Sequence, residues 1–315
     1  MIVTLTPNPA ADVTYGVDAV HLGDSHRVHD MTERAGGKGL NVASVLTGLG
    51  EHAVAVAPVG AADLAAWAAD LTDRGVSHRL VESPSATRRS IAVVEADGRT
   101  TLFNEAGQPQ PDAVWTRVAE ALAALSDQAE VLTVSGSLPA EAPDDLVARF
   151  VVEAARRGLH TVVDCGGAAL AAALPAGPRL VKPNRTEAVA TLGVDAGTSP
   201  RALARLLLER GAGAAVVTDG ASGLELVAPD VSLRARLREP LRGNPTGAGD
   251  AMTAALAVEL RDASGLPSGV DAWAEALRRA VAWSAAAVLQ PVAGVVDPDD
   301  AARLFQSVQI EESPA

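Results

Sequence analysis

The sequence predicts an α/β fold: a mainly parallel central sheet flanked by helices, with a small β lid standing off the main body. Three observations predict it. Short apolar runs alternate with helical stretches along most of the chain, each run closes on Gly, Pro or Asn, and two half-polar extended stretches interrupt the alternation. In order, strands are expected at 2–6 (IVTLT), 52–59 (HAVAVAPV), 130–136 (EVLTVSG), 160–165 (HTVVDC), 178–184 (PRLVKPN) and 214–220 (AAVVTDG). Helices are expected at about 38–49, 61–74, 111–126, 143–157, 199–211, 248–261 and 271–289. Ligands of such sheets gather at the carboxyl ends of the strands. The interrupting stretches, 13–34 and 87–103, carry turns at Gly23 and Asp97-Gly98 and suit a small separate sheet, a lid or dimer surface, rather than the core. The expected division is a discontinuous main domain (1–12, 35–86 and 104–310), a lid (13–34 and 87–103) and a frayed tail (311–315).

Composition narrows the partners. With 315 residues and 48% apolar content the chain suits one large α/β domain. No apolar stretch of 18 residues runs without Gly, Pro or charge, so no membrane partner is expected. The start lacks a basic region, apolar core and cleavage site, and a cytoplasmic location is expected. Cys165 is the only cysteine, which excludes an internal disulfide. Net charge is −13 and basic residues form no run longer than a pair, so a nucleic-acid footprint is missing. An anionic ligand must therefore be held by local devices: helix N-termini, a divalent metal and a few placed cations. Of the 26 basic residues only Lys38 and Lys182 are lysine, and both fall inside motifs that stand out on other grounds.

Neither a P-loop, a dinucleotide fingerprint nor a protein-kinase catalytic loop is present. TGAGDA (246–251) offers another design. Gly247, Ala248 and Gly249 open a helix whose first N–H groups have no internal partner, and Asp250 stands beside them. Asp250 reads equally as a proton acceptor or as a helix cap. In RAGGKGLNVA (34–43), Gly37, Lys38 and Asn41 form a glycine-rich rim with an ammonium and an amide on one face, or a tight turn. In VKPNRTEA, Asn184 and Glu187 either aim at one Mg²⁺ or form a capping box. Asp12 ends TPNPAAD at the expected carboxyl edge of the sheet, Arg88 and Arg89 sit on the lid, and VSGSLP and TDGASG are glycine-rich strand ends.

In order along nearly the whole chain, TLTPNPAAD, GGKGLNVA, TRRSI, NEAG, VSGSLP, VVDCGG, VKPNRTE, TDGASG and NPTGAGDA resemble the ribokinase-like (PfkB-type) carbohydrate kinases. Within that family the chain resembles the hexose-phosphate branch, with the 1-phosphofructokinases, tagatose-6-phosphate kinases and minor 6-phosphofructokinases. The resemblance implies a ribokinase-like fold and ATP-dependent phosphorylation of a sugar phosphate, with fructose 1-phosphate as the expected acceptor, tagatose 6-phosphate or fructose 6-phosphate as alternatives, and ATP and Mg²⁺ as cofactors; a sugar-phosphate-binding regulator without turnover is the alternative of a different class. It implies Asp250 as catalytic base, with Gly247, Ala248 and Gly249 as anion hole. Asp12, Gly37, Lys38, Asn41, Arg88 and Ser137 are implied for the acceptor, Lys182, Asn184, Thr218, Gly220 and Gly223 for the nucleotide, and Glu187 for Mg²⁺ through water. It also implies a homodimer through the lid. Asn244-Pro245 replaces the Asp-Thr pair of many members, and Ser90 stands where Asn is common.

Overall fold

The computed structural model describes residues 1–312. The chain opens with strands β1 (Ile2–Leu5), β2 (Ala10–Val17) and β3 (Asp30–Gly36), then α1 (Lys38–Gly48), β4 (Ala53–Gly60), α2 (Leu64–Asp73) and β5 (Ser77–Ser83). Next come β6 (Arg88–Glu95), β7 (Thr100–Asn104), α3 (Asp112–Leu125), β8 (Val131–Ser135), α4 (Leu146–Arg156), β9 (His160–Asp164) and α5 (Gly167–Ala173). They lead to β10 (Leu180–Val181), α6 (Arg185–Leu192), α7 (Pro200–Glu209), β11 (Ala215–Thr218), β12 (Leu224–Ala228) and β13 (Val231–Leu237). The chain closes with α8 (Ala248–Asp262), α9 (Gly269–Val288), α10 (Pro298–Phe305) and β14 (Val308–Glu312).

The main sheet runs β14-β13-β12-β11-β10-β9-β8-β1-β4-β5. Neighbours are parallel from β5 to β11, and β12, β13 and β14 extend it antiparallel. The chain leaves β1 toward β4 and β5, then crosses to β8 on the other side. This makes the β1/β8 boundary the switch point, where the connections diverge and open a crevice at the carboxyl ends. Every residue of β4 is buried, as expected for a parallel strand covered on both faces. Along β1 the pleat sends Ile2 into a core shared with α1, α8 and α9, and Val3 and Leu5 into the opposite core, with α3 and α4. Helix α8 is buried nearly all round between α1 and α9; Ala251, Ala254, Ala255 and Ala257 let it sit close to both.

Strands β3-β2-β6-β7 form a second sheet, with β2 parallel to β6 and the outer pairs antiparallel. Ala11, Val13 and Ala35 are buried at its inner side, while Met31, Leu102 and Phe103 are exposed. Gly23 and Gly98, with φ of 92° and 87°, sit in its connections.

Two expectations are corrected here. Asp12 does not stand at the carboxyl edge of the main sheet but in β2, paired with Arg34 on β3 and Ser90 on β6. Pro7 and Pro9 carry no N–H and cannot continue the β1 ladder, so the chain turns and re-enters extended structure in the small sheet. Glu311 and Glu312 are not frayed: they pair with Arg234 and Leu233, because the open edge of β13 supplies a ladder. The rest of the expected tail, 313–315, lies outside the described residues.

Candidate active site

Gly247 caps α8 in the left-handed region, at φ 84°, and a Cβ there would lie 3.0 Å from Ala293 Cα. Only glycine meets both conditions without strain. No side chain caps this helix end. The amides of Gly247, Gly249 and Asp250 find no acceptor among the described residues, whereas the Ala248 N–H is spent on the Pro245 carbonyl at 3.2 Å. That corrects the expectation of an unbroken row of outward N–H groups. The helix dipole adds partial positive charge at the same point.

Asp250 is 5% exposed, and its Oδ2 accepts a 3.0 Å hydrogen bond from Asn41 Nδ2. Helix capping falls to Gly247, so the capping alternative for Asp250 does not apply. Burial, reinforced by the Asp164 carboxylate, pushes the Asp250 carboxyl up to about 7, against the pull of Lys38, Asn41 and Lys182.

The two lysines of the chain meet on one carboxylate. Lys38 Nζ lies 3.1 Å from Asp164 Oδ1 and 3.3 Å from Glu187 Oε1, and Lys182 Nζ lies 3.1 Å from Asp164 Oδ2. Thr253 Oγ1 on α8 donates to Asp164 Oδ2 at 2.9 Å. Burial alone would raise the Asp164 carboxyl, but Lys182 and Lys38 outweigh it and hold the group at about 2. The Lys38 ammonium moves upward in the same way: burial opposes its charge, and Asp164, Glu187 and Asp250 more than offset burial. A Cβ on Gly249 would lie 3.5 Å from Lys182 Nζ, so the start of α8 and this ammonium face the same space.

Asp12 lines the same cleft as Asn41 and Asp250. Burial pushes the Asp12 carboxyl up, opposed by hydrogen bonds from the Gly37 backbone and the Asn41 side chain and by the charges of Arg88 and Arg34. Gly36 is what admits Asp12, whose Oδ2 stands 2.1 Å from where a Cβ would be. Arg88, the first residue of β6, donates to the Asn8 carbonyl from Nε and Nη2 at 3.3 and 3.2 Å. Asn8 Nδ2 in turn donates to Ser137 Oγ at 3.1 Å, tying the small sheet to the end of β8.

On the far side, Asn184 and Glu187 form the capping box of α6: Asn184 Oδ1 accepts the Glu187 N–H, and Glu187 Oε2 accepts the Asn184 N–H, both at 2.9 Å. Glu187 Oε1 remains free to face Lys38. Thr218 ends β11, and Gly220 and Gly223 flank the short helical turn that follows. Apart from Arg89, whose N–H is held by Glu105 Oε2 at 2.8 Å, the residues singled out for catalysis and binding line one cleft of about 1850 Å³. Sequence reasoning missed Asp164, Thr253 and Arg34. Asp164 had a signal, a carboxylate closing the apolar run HTVVD; Arg34 and Thr253 had none, because their relevance comes from what stands opposite them. No helix among the described residues is long and apolar enough to cross a membrane.

Comparison with known proteins follows the same lines. Residues 6–300 match the model of the pfkB family of carbohydrate kinases. Over 267 residues the chain is 36% identical to a 1-phosphofructokinase of Xanthomonas campestris pv. campestris, covering 82% of this chain and 84% of that one. The structure of Escherichia coli phosphofructokinase-2 in complex with fructose-6-phosphate superposes with a TM-score of 0.84 at 28% identity, covering 97% of this chain and 98% of that one. A possible 1-phosphofructokinase of Thermotoga maritima, 21% identical with full coverage of both chains, shares the fold with a TM-score of 0.88.

Proposed function

The chain belongs to the pfkB family of carbohydrate kinases and is an ATP-dependent sugar-phosphate kinase, and we propose that its acceptor is fructose 1-phosphate and its product fructose 1,6-bisphosphate. The observation that carries the reading is Asp250, buried at the unpartnered start of α8, held by Asn41 and lining the same cleft as Asp12, which sets a proton acceptor in one pocket with the carboxylate assigned here to the sugar. In this reading the acceptor hydroxyls are held by Asp12, Gly37 and Asn41, and Arg88 and Ser137 receive the phosphate the sugar already carries. Asp250 orients the attacking hydroxyl and takes its proton late, since a loose phosphoryl-transfer transition state asks mainly for positioning and charge stabilisation. The amides of Gly247 and Gly249 face the transferring group, with Ala248 holding the turn between them.

Lys182, Asn184, Thr218, Gly220 and Gly223 are assigned to ATP. The donor set fits a metal that travels with a nucleotide. The described residues hold no cluster of three metal-ligating side chains, and Glu187 supplies one carboxylate oxygen toward the cleft. Mg²⁺ is commonly bound by one or two carboxylates plus phosphates and water. When bound it would neutralise charge on the β- and γ-phosphates. A cytoplasmic location belongs to the same proposal, as does a homodimer through the small sheet, supported by the exposed Met31, Leu102 and Phe103. A monomer mass in sedimentation at micromolar concentration would rule that dimer out.

A coupled ADP-release assay across fructose 1-phosphate, fructose 6-phosphate, tagatose 6-phosphate and free fructose tests the acceptor. Turnover is expected to be highest on fructose 1-phosphate; preference for another member of the panel reassigns it. Arg88→Ala should raise KM for the sugar phosphate at least about tenfold while KM for ATP stays within about twofold, as expected for loss of a charge-assisted contact to one substrate. Equal effects on both substrates would move the phosphate site elsewhere.

A further inference from the structure

Asp164 and Glu187 together present four carboxylate oxygens. Two are committed to the fold: Asp164 Oδ2 to Lys182 and Thr253, and Glu187 Oε2 to the Asn184 N–H that starts α6. The other two, Asp164 Oδ1 and Glu187 Oε1, both converge on Lys38 Nζ. Two carboxylates and two ammonium groups make this cluster neutral. A divalent cation added to it meets a balanced site, and the oxygens it needs are occupied by an ammonium on a flexible four-carbon stem. Lys182 is 3% exposed and locked beside Asp164, whereas the Lys38 side chain is 37% exposed, so Lys38 is the cation free to leave.

We propose that Lys38 is a resident counter-cation, seated in the free enzyme between Asp164 and Glu187 where a divalent cation would bind, so that metal and ammonium compete for the same two oxygens. The consequence is a site that binds free metal ions weakly. A cation arriving with nucleotide brings phosphate charge that receives the displaced ammonium, and binding becomes balanced again. Lys38 then serves the nucleotide side of the cleft as well as the acceptor rim. The inference rests on the kinase reading above.

Mn²⁺ binding to the nucleotide-free protein, followed by loss of the free-ion EPR signal, tests the competition. Lys38→Met, which keeps the stem and removes the charge, should bind Mn²⁺ at least about tenfold more tightly than wild type, within the range by which removing a competing charge shifts a site. Adding Glu187→Gln should abolish the gain. An affinity no higher than wild type, or a gain that survives Glu187→Gln, overturns the proposal. A second measurement needs no variant. With only two lysines in the chain, protein labelled with ¹³Cε-lysine gives two side-chain signals. Mg²⁺ titration should shift the Lys38 signal along the same saturation curve by which Mg²⁺ displaces Mn²⁺. A Lys38 signal that stays in place while Mn²⁺ is displaced also overturns it. Wild-type protein forming no ADP with any sugar phosphate would sink the kinase reading, while the metal titrations decide the Lys38 proposal alone.

Discussion

Asp250→Asn will lower kcat by at least about 10²-fold, the usual scale for a positioned acid–base group, with KM for both substrates changed far less. The same variant will be more stable than wild type at pH 8. The wild-type carboxyl, raised to about 7 in the folded state, binds its proton more tightly folded than unfolded, so stability falls as pH rises from about 4 through about 7. The neutral amide escapes that loss. Thermal melts at pH 5 and pH 8 check the sign: the gain appears at pH 8 and fades at pH 5. If Asp250 accepts the proton, wild-type kcat/KM should also climb with pH up to about 7 and then level. Near-normal turnover in Asp250→Asn, or a lower melting temperature at pH 8, would assign this carboxylate a structural role.

Lys182→Met will destabilise the fold by about 3–5 kcal/mol, the scale for breaking a buried ion pair by removing one partner. Asp164 is 1% exposed and would keep the Thr253 hydrogen bond and a single cation, Lys38, whose side chain is the more exposed of the two. The Asp164 carboxyl, held at about 2, contributes stability that is present above about pH 4 and is lost as pH falls toward 2. Lys182→Met should therefore lower urea-unfolding stability at pH 7.5 and shrink the difference from wild type near pH 3. Adding Asp164→Asn should restore part of the loss, because it removes the buried charge left unpaired. A Lys182→Met protein as stable as wild type would mean that water, rather than the ammonium, solvates Asp164.

Strong periodicity was legible in the sequence and weak periodicity was not. The helices at 38–48, 112–125 and 248–262 follow the expected limits to within a residue or two. Helices α5 and α6 escaped notice because GAALAAA is short and uniformly small, and RTEAVATL has no clear apolar face. Strand β5, SHRLVES, lies at the edge of the sheet with mostly polar exposure, so it lacks the apolar run that marks its buried neighbours. Strand β13 alternates cleanly, VSLRARL, whereas β12, LELVA, is buried over its last three residues, and their pairing becomes decisive only beside β11. Of the strand expected at 178–184 only Leu180 and Val181 form a continuous ladder; Pro183 interrupts it, and Asn184 makes an isolated bridge to Thr218 as α6 begins.

The candidate site divides along the same line. By itself the sequence determined the alternating layers, the glycine that must open α8, the family, and the motifs that carry the chemistry, because each is written within a few consecutive residues. Tertiary structure alone decided that Lys38 and Lys182 share Asp164, that Asn41 holds Asp250 in the cleft that Asp12 also lines, and that Arg34 stands across from Asp12. Lys38 and Asp164 are 126 residues apart, and Asn41 and Asp250 are 209 apart. Partners so distant along the chain meet only because the parallel sheet gathers the ends of β1, β8 and β9 around one crevice and seats α8 above it. Local periodicity reports which face of a segment is buried, whereas the identity of the charge it meets there is set by packing between segments.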